Sequence, residues 1–270
     1  MKKIVLLSVL IIYFSALNSF GELIYSGSST IGDNLLPELA SEFYKATGIK
    51  FEKILVPGSG KGMKALIDNK ADIAGISRRP TKEEKRLPLI FTTIGDDAIS
   101  VIVHPSNPVK DLTIEQLKDI FQGKITNWKE VGGRDEPILP VTEILTEKRA
   151  TQIVFTELVM GTSALIENYG ANIKQVDKPA DEANEVANNK NAISAVSFTF
   201  SSEKVKPVAV QGVMPFRENV AYFLYPLSRP LVIVIRKDAS EEAKKFVEFL
   251  KTPSAKSLIN KYFVGIPEKY

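Results

Sequence analysis

The residues with the most to offer chemically are small hydroxyls and glycines at strand ends. Gly27-Ser28-Ser29-Thr30 lies between an alternating, strand-like stretch and the onset of helical periodicity. Backbone N–H groups at a helix start lack intrahelical partners and the helix dipole is positive there, so Ser28, Ser29 and Thr30 would add hydroxyl donors for an anion. One of them capping the helix would explain the same residues. Ser77-Arg78-Arg79-Pro80 follows a later strand and falls at the same carboxyl edge of the expected sheet, where open α/β sheets bind ligands. Arg78 there would grip an oxyanion with a forked, charge-assisted contact, or would be a solvated base ahead of a turn. Asp96 and Asp97 would repel a full anion. They make sense beside one if the ligand carries a proton for a carboxylate to accept; capping or turn formation is the alternative. Gly58-Ser59-Gly60-Lys61-Gly62 resembles a nucleotide loop only superficially, because the GxxxxGK[ST] pattern is not met, and it reads as a flexible turn before a helix.

Composition narrows the chemistry further. The 270 residues include no Cys and a single His, His104, which removes disulfides, thiolate metal sites, a Cys nucleophile and any two-His metal site. Catalysis of the Ser-His-Asp kind would have to use His104, at a Pro-flanked strand end where a surface or hinge His is the plainer reading. A net charge of +3, with basic residues scattered among nearly as many acids, argues against a nucleic-acid partner.

These residues must be positioned by an α/β framework. Residues 22–26 read as a strand, and Leu35, Leu36, Leu39, Ala40 and Phe43 share one helical face that Gly48 is placed to end. A strand over 51–56, a helix over 61–69 and a strand over 72–76 complete the rhythm of a parallel sheet with right-handed crossovers. Further on, the pattern predicts a strand over 98–103, helices over 113–122, 147–160 and 180–189, strands over 192–198 and 229–236, and a helix over 240–250 capped by Ser240. Eight evenly spaced strand–helix pairs are absent from the pattern, which favours two lobes over a barrel. At the N-terminus, Lys2 and Lys3 precede an uncharged run over 4–17, too short for the roughly 20 residues that span a bilayer. With Ser19 and Gly21 as the small residues before a cut at Glu22, residues 1–21 read as a cleavable export signal and the mature chain as periplasmic.

Taken together, several segments resemble the phosphate-binding-protein-like periplasmic substrate-binding proteins of ABC importers. They are Gly27-Ser28-Ser29-Thr30, Gly58-Ser59-Gly60-Lys61-Gly62, Ala71-Asp72-Ile73-Ala74-Gly75-Ile76-Ser77-Arg78, Val103-His104-Pro105-Ser106-Asn107-Pro108, Phe121-Gln122-Gly123-Lys124-Ile125-Thr126-Asn127-Trp128 and Tyr225-Pro226-Leu227-Ser228-Arg229-Pro230. The resemblance implies an α/β, two-lobed (type II) binding protein: lobe 1 from residues 22–97 plus 228–270, lobe 2 from 98–227, with a cleft between them that closes on an oxyanion. Carried over by position, Ser28, Ser29, Thr30 and Ser77 would be donors and Asp97 the proton acceptor. Where the family has Ser-Gly-Thr-Arg at a helix start in the second lobe, this chain reads Arg149-Ala150-Thr151-Gln152, leaving Thr151 and Arg149 as the expected donors. The Gly-Tyr-Val-Ser type strand is altered too, to Ile193-Ser194-Ala195-Val196-Ser197. The implied function is capture of phosphate or a related oxyanion for an ABC permease in the inner membrane, by a monomer without cofactor, metal or catalysis. A sensor or regulatory module of the same fold is the alternative, and a phosphatase using Ser28 a third.

Overall fold

The structure is a computed structural model that describes residues 21–162 and 166–266; residues 1–20, most of the expected export signal, lie outside the described residues. Strand β1 (Leu23–Gly27) leads into a single-turn helix α1 (Ser29–Gly32) and then α2 (Leu36–Thr47). Leu36, Leu39 and Phe43 recur at helical spacing and are completely buried. Gly48 closes α2 with φ 74°, a left-handed cap its missing side chain makes cheap. Strand β2 (Phe51–Leu55), helix α3 (Ser59–Ile67) and strand β3 (Ile73–Ile76) follow, and β1 lies between β2 and β3 in parallel register.

Two expectations in this region change. The segment around Gly58 is no loose turn: α3 already begins at Ser59, and Gly62 lies so close to β1 that a Cβ on it would sit 2.4 Å from the Gly27 Cα. The strand expected over 98–103 is the end of a much longer one, β4 (Leu89–Val103), so Asp96 and Asp97 lie inside a strand rather than before it.

After β4 come β5 (Asp111–Leu112), α4 (Ile114–Phe121), β6 (Leu139–Glu143), α5 (Ala150–Phe155), β7 (Lys174–Val176), α6 (Pro179–Asn188), β8 (Ala192–Ser197), β9 (Lys206–Val210) and α7 (Arg217–Ala221). Helix α5 starts three residues later than its periodicity suggested and continues as a π-helical turn, Thr156–Met160. The chain then returns through β10 (Ser228–Arg236), α8 (Glu241–Phe249) with Ser240 as its side-chain cap, α9 (Pro253–Tyr262) and β11 (Val264–Gly265). Helix α9 and strands β6, β7 and β9 are additions to the sequence reading.

The strand order β2-β1-β3-β10-β4-β8-β6-β7 forms one continuous curled sheet. Its apolar side chains sort into two main cores. One holds Tyr25, Leu36, Phe43, Ile94, Leu231 and Phe246; the other holds Ala98, Ile99, Leu117, Trp128, Phe155 and Leu227. The change from one core to the other therefore falls between Ile94 and Ala98 on β4 and between Leu227, just ahead of β10, and Leu231 within it. Those two strands are antiparallel neighbours, with Ser228 opposite Ala98, and their register shifts between Leu231 and Val232. Two α/β lobes thus meet across a pair of crossing strands.

Candidate functional site

Three helix starts converge where the lobes face each other. A cavity there is lined by Ser28, Ser29 and Thr30 at α1, Gly58 and Ser59 at α3, Ser77 after β3, and Glu143, Arg149, Ala150 and Thr151 at the end of β6 and the start of α5. Each helix start presents N–H groups that its own helix cannot satisfy. The hydroxyls are ordered among themselves: Ser28 Oγ donates to Ser77 Oγ at 2.9 Å, and Ser59 Oγ accepts the Ser77 backbone N–H at 3.2 Å. Ser28, Thr30, Ser59, Ser77 and Thr151 are all buried. A roomier groove between Thr92–Ile94 of β4 and Leu250, Lys256 and Ile259 lies away from this convergence and gathers no helix starts.

A charged residue outside the expected set lies beneath the cavity. Arg229 of β10, completely buried, donates Nη2 to Thr30 Oγ1 at 3.1 Å and Nη1 to Thr151 Oγ1 at 2.9 Å, touching a donor from each lobe. Each threonine oxygen thus accepts from the guanidinium and keeps its own hydroxyl proton to donate elsewhere. Asp97 balances the charge: its Oδ2 accepts from Arg229 Nε and Nη2, both at 2.8 Å, and its Oδ1 from Ser197 Oγ at 2.7 Å. Burial pushes the Asp97 carboxyl up from its ordinary range, and Arg229 and Ser197 hold it back.

Of the residues expected to bind, Ser28, Ser29, Thr30, Ser77, Arg149 and Thr151 line the one cavity. Arg78 and Asp97 do not. The Arg78 guanidinium forks onto Glu84, at 2.9 and 2.7 Å, and onto the Arg79 carbonyl, so its donors are used within its own loop. Asp97 has both oxygens committed to Arg229 and Ser197 and is no free acceptor. Sequence reasoning missed Arg229, Ser59 and Glu143. Arg229 stood in the quoted Tyr225-to-Pro230 motif, but nothing local says that its side chain reaches two threonines far apart in sequence.

The altered second-lobe segment has its own logic. Gln152 accepts the Arg149 N–H at 3.1 Å through Oε1, while its Nε2 donates to the Glu143 carbonyl and, at 3.5 Å, to Thr142 Oγ1, pinning the start of α5 to the end of β6. Arg149 Nε lies 3.3 Å from Glu143 Oε1. Glu143 is almost fully buried, which drives its carboxyl up to about 7 against the opposing pull of Arg149 and Arg229. Across the mouth of the cleft, Lys61 of α3 pairs with Glu147, and Asn34 donates to Thr199 Oγ1 at 3.3 Å. The single histidine is elsewhere, in the turn after β4, bonded to Ser106 Oγ at 2.8 Å. No group of three or more His, Cys, Asp or Glu side chains with metal-binding proximity occurs among the described residues.

The arrangement suits a small, hydrogen-bond-accepting anion held by neutral donors over a neutralised ion pair. Comparison with known proteins points the same way. The sequence model of the PBP superfamily domain matches residues 18–254. Phosphate-binding protein PstS of Bacillus subtilis (strain 168) is 26% identical over 240 residues, which is 86% of this chain and 76% of that protein. A structure from Clostridium perfringens, assigned as a phosphate ABC transporter substrate-binding protein and solved with bound phosphate, is 33% identical and covers 92% of this chain and 100% of its own, with a TM-score of 0.85. An ABC-type phosphate transport receptor from Vibrio cholerae is 31% identical, covers 91% of this chain and 100% of its own, and has a TM-score of 0.78.

Proposed function

The chain belongs to the PBP superfamily, and on that premise we propose that it captures phosphate in the interlobe cavity and hands it to an ABC permease. The observation that carries this reading is Arg229 reaching Thr30 and Thr151 at once. A ligand closes two lobes only by binding the closed arrangement better than the open one, so it must find donors on both sides. Here those donors are Ser28, Ser29, Thr30, Ser59 and Ser77 on one side and Thr151 and Arg149 on the other. The proton acceptor expected at Asp97 is reassigned to Glu143, which lines the cavity and has an Oε1 without a hydrogen-bond partner.

Lobe 1 comprises residues 22–97 with 228–270 and lobe 2 residues 98–227, in keeping with the two cores. In this reading the protein acts as a monomer in the periplasm after removal of residues 1–21 and presents its anion without transforming it; the Ser28 hydroxyl is engaged with Ser77. Calorimetry of the mature protein against phosphate, sulfate, molybdate and tungstate tests the reading. Saturable binding with phosphate strongest is the expected result, and absence of phosphate binding refutes it. Mass spectrometry of the exported chain tests the cut before Glu22.

A further inference from the structure

Beside the anion cavity lies a second one of similar size, lined by Val141, Thr142, Thr151, Gln152, Tyr169 and Glu182 among others, so the two adjoin at Thr151. Glu182 of α6 is buried inside lobe 2, where its Oε1 lies 3.2 Å from Ser194 Oγ of β8, a hydroxyl shared with the Val141 carbonyl at 2.9 Å, and its Oε2 has no hydrogen-bond partner. The Glu143 backbone N–H acts on this carboxyl and favours its charged form. Two buried carboxyls therefore sit on either side of the wall that ends at Thr151: Glu143, whose Oε1 meets Arg149 Nε at 3.3 Å but accepts no hydrogen bond, and Glu182, whose Oε2 has no hydrogen-bond partner. We propose that Glu143 and Glu182 together form one proton-holding site, so that capture of an anion is accompanied by uptake of a proton onto the protein.

The charge inventory supports this. The groups acting on Glu143 are Arg149 from the start of α5, Arg229 from β10, Glu182 from α6 and the Tyr169 hydroxyl from the loop before β7. Arg229 is already balanced by Asp97, which leaves Arg149 as the one cation acting on both carboxyls among the described residues. Two like charges so placed do not both ionise easily, and the second ionisation is opposed further once an anion occupies the adjoining cavity. Burial pushes both carboxyls above their ordinary range. Below the titration of Glu143 the pair is already protonated and takes up nothing; above it, the arriving anion raises its proton affinity and a proton follows. Affinity accordingly falls as pH rises through about 7.

This inference rests on the anion-capture reading, and the experiment separates the two. Phosphate binding is measured by calorimetry at pH 8 in buffers of different ionisation enthalpy, which counts protons taken up. The wild-type protein is expected to take up a fraction of a proton approaching one. Glu182→Gln, which keeps an acceptor for Ser194, is expected still to bind phosphate but to shift the uptake to lower pH by about one unit or more. Equal uptake in both proteins places the proton on the ligand and overturns the inference. If the wild type gives no binding heat at any pH, the phosphate reading fails. The pair is then judged by carboxyl carbon NMR of the ligand-free protein, where a Glu143 titration unmoved by Glu182→Gln overturns it.

Discussion

Arg229 and Asp97 stand directly opposite each other on β10 and β4, so the ion pair beneath the cavity is also a cross-strand pair at the crossing between the lobes. Both side chains are fully withdrawn from water. Removing one partner leaves an uncompensated buried charge, at a cost of about 3–5 kcal/mol. Asp97→Asn is expected to lose stability on that scale in urea denaturation. Replacing both by apolar residues, Asp97→Leu with Arg229→Met, is expected to recover most of the stability but not anion binding. Full binding in the double variant would remove Arg229 from the site.

Ser28 and Thr151 stand on opposite sides of the cavity. Ser28→Ala and Thr151→Ala are each expected to weaken phosphate binding by roughly 1–3 kcal/mol, the range for a charged ligand left short of one hydrogen bond. Small-angle scattering separates their roles: Thr151→Ala should also reduce the contraction on adding phosphate. Undiminished contraction would show that the start of α5 is not the second half of the cage.

Gly62 offers a test of packing without touching any ligand. Alanine there would place a Cβ 2.5 Å from the Ser26 carbonyl oxygen as well as against Gly27, and both obstacles are backbone. Helix α3 must then back away from β1, a strain of about 1–3 kcal/mol or more. A lower denaturation midpoint and weaker anion binding are expected together, because the same shift moves Ser59. An unchanged midpoint would contradict the packing.

The Lys61–Glu147 pair at the cleft mouth is exposed, with side chains 56% and 34% accessible. Solvent screens such a pair, so it adds little to stability. Lys61→Ala is therefore expected to leave the melting temperature nearly unchanged and to speed phosphate release in stopped-flow measurements, with the difference fading at high salt. Identical release rates at low salt would refute a latch.

Much of the framework was legible because it is written locally. The Leu36–Leu39–Phe43 stripe, the Gly48 cap and the Ser240 cap each depend on residues within a few positions. The hydroxyl cluster was legible as well, since Ser28, Thr30 and Ser77 all follow strands of one parallel sheet. Arg78 and Arg229 show the limit. Each is an arginine at a strand end, yet Arg78 is captured by Glu84 six residues away while Arg229 reaches Thr30 at a separation of 199. Nothing in either neighbourhood distinguishes them; only the sheet order, which places β10 between β3 and β4, does. The Phe121-to-Trp128 motif, for its part, is core. Phe121 packs on Phe155 with ring centroids 4.7 Å apart, and the Trp128 indole N–H donates to the Asn191 carbonyl.

The place of β10 in that sheet has a consequence for how the polypeptide is made. The strand that fills the gap between β3 and β4 is almost the last to leave the ribosome, so β2, β1 and β3 can pair among themselves but cannot be joined to β4 until it arrives. Until then β3 and the first half of β4 lack their shared neighbour, and the sheet that bridges the two lobes is incomplete. If the chain is exported as proposed above, late arrival of the central strand delays compaction before it crosses the membrane.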